Sequence, residues 1–254
     1  MRSDAGSGNA GIGGERLDQV LVARGLAPSR ARAQALIAAG SVTVDGRTAR
    51  RAAARIAPGT AIAIAGDALR HVSRAALKLL HALDSFGLSP SGAVALDLGA
   101  STGGFTQVLL ERGAREVWAV DVGHGQLAPL LREDPRVHVI EGLNVRDITP
   151  AQVPSPGFVT ADLSFISLLK ALPAPLALAG PGAILVALVK PQFEVGRAAI
   201  GKNGIVRDEA AIARARTTVR AFLEGRGWAV IGETESPIPG GDGNREYLIA
   251  ARRG

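Results

Sequence analysis

From residue 94 onward, short runs of branched aliphatics and alanine alternate with helix-length amphipathic stretches, and this alternation constrains the fold more than any other feature of the chain. Runs too continuously apolar to have a wet side are strands buried on both faces, as in a parallel sheet covered by helices. The pattern predicts strands at 94–98, 117–122, 137–141, 158–162, 183–190, 228–235 and 246–251. Helices are expected near 74–86, 104–112, 126–133, 166–178 and 208–225. One junction breaks the rhythm. The last two strands are joined by Pro237-Ile238-Pro239-Gly240-Gly241-Asp242-Gly243-Asn244, with no helix between them. Parallel neighbours need a long crossover, so this pair must be an antiparallel hairpin. The expected body (74–254) is therefore α/β, with seven strands, mostly parallel, and the last one reversed.

Residues 15–65 read as a separate small α/β unit behind a glycine-rich tail (1–14), with a linker at 66–73. Leu17, Val20 and Leu21 mark a helix that stops near Gly25. Pro28-Ser29 opens a second helix, which ends at Gly40. Val42-Thr43-Val44 runs into Asp45-Gly46, a strand and a tight turn, and Pro58-Gly59 precedes a further strand at 61–64. Charge is lopsided along the chain. Residues 1–75 hold 11 arginines and no lysine against five acids, whereas the remainder balances 18 basic against 18 acidic residues. A basic head on a neutral body is the asymmetry of a polyanion-binding module carried by something else.

Several classes are excluded or disfavoured by what the chain lacks. Without cysteine there is no disulfide scaffold, thiolate metal site or cysteine nucleophile. The four histidines, at 71, 81, 124 and 138, have no zinc-ligand spacing, so no metal is expected. There is no run of about 18 uncharged apolar residues and no apolar signal segment near the N-terminus, so a cytoplasmic protein is expected, with no membrane partner.

The first strand of the body runs straight into glycines, Val94-Ala95-Leu96-Asp97-Leu98-Gly99-Ala100-Ser101-Thr102-Gly103-Gly104-Phe105. Such a turn brings backbone N–H groups to a ligand at the carboxyl end of the strand. The G-x-x-x-G-G spacing departs from that of dinucleotide binders, and Asp97 would repel a pyrophosphate. S-adenosylmethionine, with an ammonium and a sulfonium, suits that carboxylate better. Asp121, ending the second strand, is placed for ribose hydroxyls, and Asn144 for the adenine. A generic nucleotide site and a plain polar loop residue are the blander alternatives. The expected cofactor contacts are thus Asp97, Gly99, Ser101, Thr102, Gly103, Phe105, Asp121 and Asn144, with Asp162 beside them.

Four further residues stand out by position: Lys78 in an otherwise largely apolar helix, Asp162 ending the fourth strand, Lys190 ending the fifth and Glu246 beginning the last. The chain has four lysines (78, 170, 190, 202) against 25 arginines, so lysine at an apolar strand end is a choice. Lysine can give up its proton and arginine cannot. Plainer roles exist for each: a snorkelling amine, a helix cap, a surface carboxylate, an ordinary ion pair. Together the four favour chemistry, because ligands bind at the carboxyl ends of parallel strands, and a last strand beside the fifth brings Glu246 to the edge that holds Lys190.

The segment RLDQVLVARGLAPSRARAQALIAAGSVTVDGRTARR resembles the S-four RNA-binding fold, which implies RNA contacts from Arg16, Arg30, Arg32, Gln34 and Arg47. Lys78, Asp162, Lys190 and Glu246 in their contexts are similar to the catalytic tetrad of FtsJ-type RNA 2′-O-methyltransferases. Through VSRAALKL, LDLGASTGGFTQVLL, AVDVGHGQL, ADLSFISL, LVKPQFEVGR, GIVRDE and GNREYL, the whole chain resembles the TlyA (hemolysin A) family. The resemblance implies a Rossmann-like class I methyltransferase body and transfer of a methyl group from S-adenosylmethionine to a ribose 2′-hydroxyl, of a cytidine, in ribosomal RNA. Lys190 would be the base, Asp162 would tune it, and Lys78 and Glu246 would hold the reacting groups in place. One departure is AAIARAR after GIVRDE, where relatives often carry a histidine. Two rival readings remain: a non-catalytic RNA-binding or ribosome-assembly factor, and a membrane-active hemolysin. Methyl transfer separates out the first, and liposome leakage the second.

Overall fold

The structure, a computed structural model, describes residues 14–27, 29–38, 40–64, 71–196, 199–201, 204–241 and 243–254. The expected tail at 1–14 (save Gly14), Pro28, most of the expected linker, Lys202 and Asp242 lie outside the described residues. The chain divides into two compact units, 1–71 and 72–254.

In the first unit, α1 (Leu17–Ala23) and α2 (Arg30–Ala38) pack Leu17, Leu21, Ala33, Leu36 and Ile37 against Val42 of β2 (Val42–Val44). β2 is the centre of an antiparallel three-stranded sheet, between β3 (Arg47–Thr48) and β5 (Ile62–Ile64). Asp45 and Gly46, at φ of 48° and 75°, form the two-residue turn joining β2 to β3. That left-handed pair matches the twist of a tight hairpin and explains the Asp-Gly sequence. A two-stranded ribbon, β1 (Glu15–Arg16) with β4 (Arg55–Ile56), completes the unit.

In the second unit, a helix, α3 (Ala75–Phe86), precedes a seven-stranded sheet. The strands are β6 (Val94–Leu98), β7 (Glu116–Asp121), β8 (Val137–Glu141), β9 (Phe158–Ala161), β10 (Ile184–Val189), β11 (Trp228–Glu235) and β12 (Tyr247–Arg253). Their order is β11-β12-β10-β9-β6-β7-β8, with β12 antiparallel to both neighbours and the other pairs parallel. The reversed last strand expected from the helix-free junction is present, inserted between β10 and β11. Alternation assigns the faces: Leu96, Leu98, Val159, Leu185 and Ile249 feed one core. Ala95, Val117, Phe158, Val186 and Leu248 feed the other, beneath α3 and α4 (Gly104–Glu111). Each fully buried large aliphatic contributes about 2 kcal/mol.

Two helices differ from expectation. The one expected at 126–133 is a single turn, α5 (Pro129–Arg132), because Pro129 disfavours helical backbone before it and opens the helix at its own position. The one expected at 166–178 is split into α6 (Leu168–Ala171) and α7 (Pro173–Leu178); Pro173 lacks the N–H that would continue the ladder. A short turn, α8 (Pro191–Glu194), follows β10 unforeseen, and α9 (Glu209–Glu224) is capped by Asp208 accepting from the backbone N–H groups of Ala210 and Ala211.

Candidate active site

The glycine turn works through close approach. Gly99 has φ of 81°, and a Cβ there would stand 2.5 Å from the carbonyl oxygen of Asp162, so only glycine lets the end of β6 pass the end of β9. Gly103, at φ of 96°, lies against Leu127 and Leu131, where a Cβ would come within 2.3 Å of Leu131 Cδ1. Gly103 therefore serves packing and, unlike Gly99, Ser101, Thr102 and Phe105, does not line either cavity at this edge.

Asp97 also departs from its expected role. It is fully buried and lines neither cavity. Thr106 Oγ1 donates to its Oδ2 at 2.7 Å and Thr160 Oγ1 to its Oδ1 at 2.9 Å. The carboxylate expected to face the ligand instead ties α4 and β9 to β6. Burial pushes its pKa up to about 6, against the lowering effect of the two threonine hydrogen bonds. A carboxyl that holds its proton more tightly folded than unfolded weakens the fold as pH rises from about 4 to about 6, and the full penalty applies above that. Asp97→Asn should therefore raise the urea midpoint at pH 7, and this advantage over the wild type should vanish by pH 4. An equal offset at both pH values would refute the assignment.

Most of the remaining cofactor candidates surround a cavity of about 900 Å³ at the carboxyl edge of the sheet, while Thr102 and Phe105 line only a smaller one beside it. Gly99, Ser101, Asp121, Asn144 and Asp162 line the larger one. Asp121 Oδ2 accepts from Ser101 N at 2.8 Å, and its Oδ1 from Gly123 N at 2.7 Å, so the acid fixes the glycine turn to the end of β7. Asn144 Oδ1 caps the turn at 145–147 by accepting from Arg146 N at 3.1 Å. Gln126, inside the AVDVGHGQL motif but not singled out there as a contact, accepts from Ser101 Oγ at 3.2 Å and lines the same cavity.

A second cavity of about 300 Å³ shares Gly99, Ser101, Asp162 and Ser164 with the first and adds Arg74, Lys78 and Lys190. Asp162, Lys190 and Glu246 each sit one residue beyond a strand, not within it as expected. Continuing the alternation by one residue puts all three on the face covered by α3, the helix that carries Lys78. The β10–β12 ladder ends at Val189 opposite Tyr247, which brings Lys190 and Glu246 level at the next position. Lys190 is 8% exposed; its Nζ lies 2.6 Å from Asp162 Oδ1 and donates to Ser164 Oγ at 3.0 Å. Lys78 and Glu246, both buried, form an ion pair. Four residues spread over 169 positions thus meet as two coupled pairs.

At the rim, Phe165 is 92% exposed, has φ of 65°, and lies 5.4 Å from the ring of Phe193. A non-glycine residue held there costs about 1 kcal/mol or more, a strain typical of functional positions. Glu194 ties the two cavity walls together, accepting from Ser167 Oγ at 2.6 Å and Leu168 N at 2.8 Å, and burial raises its pKa. Ser164 and Phe165 were legible only as neighbours of Asp162.

In the first unit, Arg16, Arg30 and Gln34 all donate to the buried carboxylate of Asp18. Arg32 donates to the carbonyl of His71, and Arg47 is exposed on the β2–β3 hairpin. Among the described residues no three His, Cys, Asp or Glu side chains are grouped to hold a metal, and no helix is long and apolar enough to cross a membrane.

Comparison with known proteins places these features. Residues 71–253 match the FtsJ-like methyltransferase family and residues 15–62 the S4 domain. The chain is 48% identical to the 16S/23S rRNA (cytidine-2′-O)-methyltransferase TlyA of Mycobacterium tuberculosis, over 93% of this chain and 89% of that protein. It is 39% identical to Hemolysin A of Brachyspira hyodysenteriae, over 92% of this chain and 98% of the relative. The fold is also that of the N-methyltransferase NodS from Bradyrhizobium japonicum, solved with S-adenosyl-L-homocysteine. There the identity is 14% and the TM-score 0.50, over 70% of this chain and 85% of that one.

Proposed function

The chain belongs to the FtsJ-like methyltransferase family, and from that membership we propose that it transfers a methyl group from S-adenosylmethionine to the 2′-hydroxyl of a cytidine in ribosomal RNA. The observation that carries the reading is Lys190, held by Asp162 and Ser164 in a pocket that opens beside the glycine turn. The larger cavity suits the cofactor: about 900 Å³ at the strand ends, with walls of mixed character in which the Asp121 carboxylate and the Asn144 amide are polar contacts and Val122 and Leu143 apolar ones. When bound, S-adenosylmethionine supplies an electrophilic methyl group on a sulfonium.

The protein side of the reaction follows from the two pairs. The acceptor ribose would enter the smaller cavity, and Lys190, in its unprotonated amine form, would take the proton of the 2′-hydroxyl at Nζ as that oxygen takes up the methyl group. Asp162 orients that amine and stabilises the ammonium that forms, as a carboxylate does for a catalytic histidine. Lys78 offers positive charge to the developing alkoxide, and Glu246 keeps the lysine in place. Phe165 presents a ring face on which an unstacked base can lie. The head adds arginine donors for phosphates, so the substrate is read as a ribosome, a ribosomal subunit or its RNA, in the cytoplasm.

Mapping ribose methylation in ribosomal RNA from cells with and without the gene tests the reading. A cytidine 2′-O-methyl that disappears with the gene, and returns when purified protein and S-adenosylmethionine are added to the unmodified subunits, is the expected result. Identical maps would overturn it.

A further inference from the structure

The chemistry of the head converges on one side chain that the proposed reaction does not use. Asp18 is the second residue of α1 and fully buried. Its backbone N–H donates to Ala52 O at 3.1 Å, while Leu17 N donates to Ala54 O at 2.8 Å, so the start of the helix is pinned. Arg16 Nε lies 2.9 Å from Asp18 Oδ1 and its Nη2 3.0 Å from Oδ2. Arg30 Nε and Gln34 Nε2 both reach Oδ2, at 2.9 and 2.8 Å. Two guanidinium groups from different elements therefore share one carboxylate, which fixes their separation to within a few ångström. The arginines themselves are 31% and 53% exposed, and the hydrogen bonds to Asp18 leave the Nη1 of Arg16 and both Nη atoms of Arg30 uncommitted to it.

Stability alone is a poor reason for this arrangement. Burying an unprotonated carboxylate costs desolvation, and an apolar residue of similar size often does as well in such a place. What the carboxylate provides is order. A free arginine gives up rotamer entropy when it clamps a phosphate, and a guanidinium already held at its Nε edge gives up less. The residual charge of the cluster is positive, as a phosphate site requires.

We propose that Asp18 is a positioning residue for RNA capture, holding Arg16 and Arg30 side by side so that together they clasp the phosphates of the bound RNA. The inference rests on the reading of the head as RNA-binding, and goes beyond it by making a buried acid responsible for binding a polyanion. The sign of its effect is diagnostic. Asp18→Asn makes the head more positive by one charge. If charge alone governed binding, the variant would bind RNA more tightly; if Asp18 positions the arginines, it binds more weakly.

The test uses the full chain and unmodified, transcribed 23S ribosomal RNA, titrated over a range of KCl concentrations. Asp18→Asn is expected to raise Kd about tenfold and to make the salt dependence shallower by about one phosphate contact. KM for methyl transfer should rise with kcat unchanged. A double-mutant cycle with Arg30→Ala separates positioning from general loosening, because Asp18→Asn should cost less than about twofold once Arg30 is gone. Unchanged or tighter binding, or additive losses in the cycle, would overturn the proposal. Should thermal melting show that Asp18→Asn unfolds the head, Arg30→Lys replaces it, keeping charge while losing the planar fork. A Kd raised at least about threefold would support the clasp, and equal binding would overturn it. A wild type that neither bound nor methylated ribosomal RNA would refute the functional reading itself, whereas normal wild-type activity with an unaffected Asp18→Asn would refute only this inference.

Discussion

Lys190→Ala is expected to lower the rate of methyl transfer by at least about a thousandfold, while the affinities for S-adenosylmethionine and RNA stay within about twofold of the wild type. The magnitude follows from its place. Its Nζ is the group held between Asp162 and Ser164 at the wall of the smaller cavity, and neither neighbour offers an amine to take the proton. Lys190→Arg sharpens the result. It keeps a positive charge beside Asp162 but cannot act as a base at any working pH, so it should be as inactive as the alanine. Rapid-quench measurement of a single turnover, with saturating cofactor, reads the chemical step directly. If Lys190→Arg retained a tenth of the wild-type rate, the lysine would be an electrostatic contact only and the base would have to be sought elsewhere.

Glu246→Ala should be the most damaging single change to the fold of the body among the site residues. It removes one partner of a buried ion pair and leaves the Lys78 ammonium without its counter-charge at a cavity wall that also holds Arg74 and Lys190. Stranding a buried charge costs about 3 kcal/mol or more. For a unit of this size that corresponds to a fall in Tm of about 6–12 °C, measurable by calorimetry. The pair's purpose is exposed by a second variant, Lys78→Met with Glu246→Leu. Exchanging both charges for apolar groups of similar volume should restore most of the lost stability, yet methyl transfer should stay below about 1% of the wild type. An active apolar double variant would mean that the pair is structural, and an unshifted Tm in Glu246→Ala would mean that the lysine finds water.

Much of this arrangement was legible in the sequence because it follows from periodicity and connection length. A junction without a helix required a reversed strand, and a last strand beside the fifth brought Glu246 to the edge that holds Lys190; the face these two share with Asp162 emerged only with the register of the sheet. The glycine turn was legible for a similar reason: a strand running into G-x-x-x-G-G has few ways to continue. Asp97 was misread because its role depends on Thr106 and Thr160, 9 and 63 residues away, whose hydroxyls reach it only after the sheet has formed. The split of the 166–178 helix did carry a signal, Pro173, which the apolar pattern outweighed. In the head, Arg16 and Arg30, expected as RNA contacts, share a buried acid, Asp18, that no residue pattern singled out, because its partners lie on separate elements.

The inserted position of β12 has a consequence for biosynthesis. Translation delivers residues 247–253 after every other strand of the sheet, yet these residues lie between β10 and β11. Until they emerge, the nascent protein presents an unpaired β10 edge and lacks the carboxylate of Glu246. Completion of the sheet and arrival of the Glu246 partner of Lys78 are thus the same event, and a chain cut short before residue 246 keeps the kind of open edge that favours aggregation.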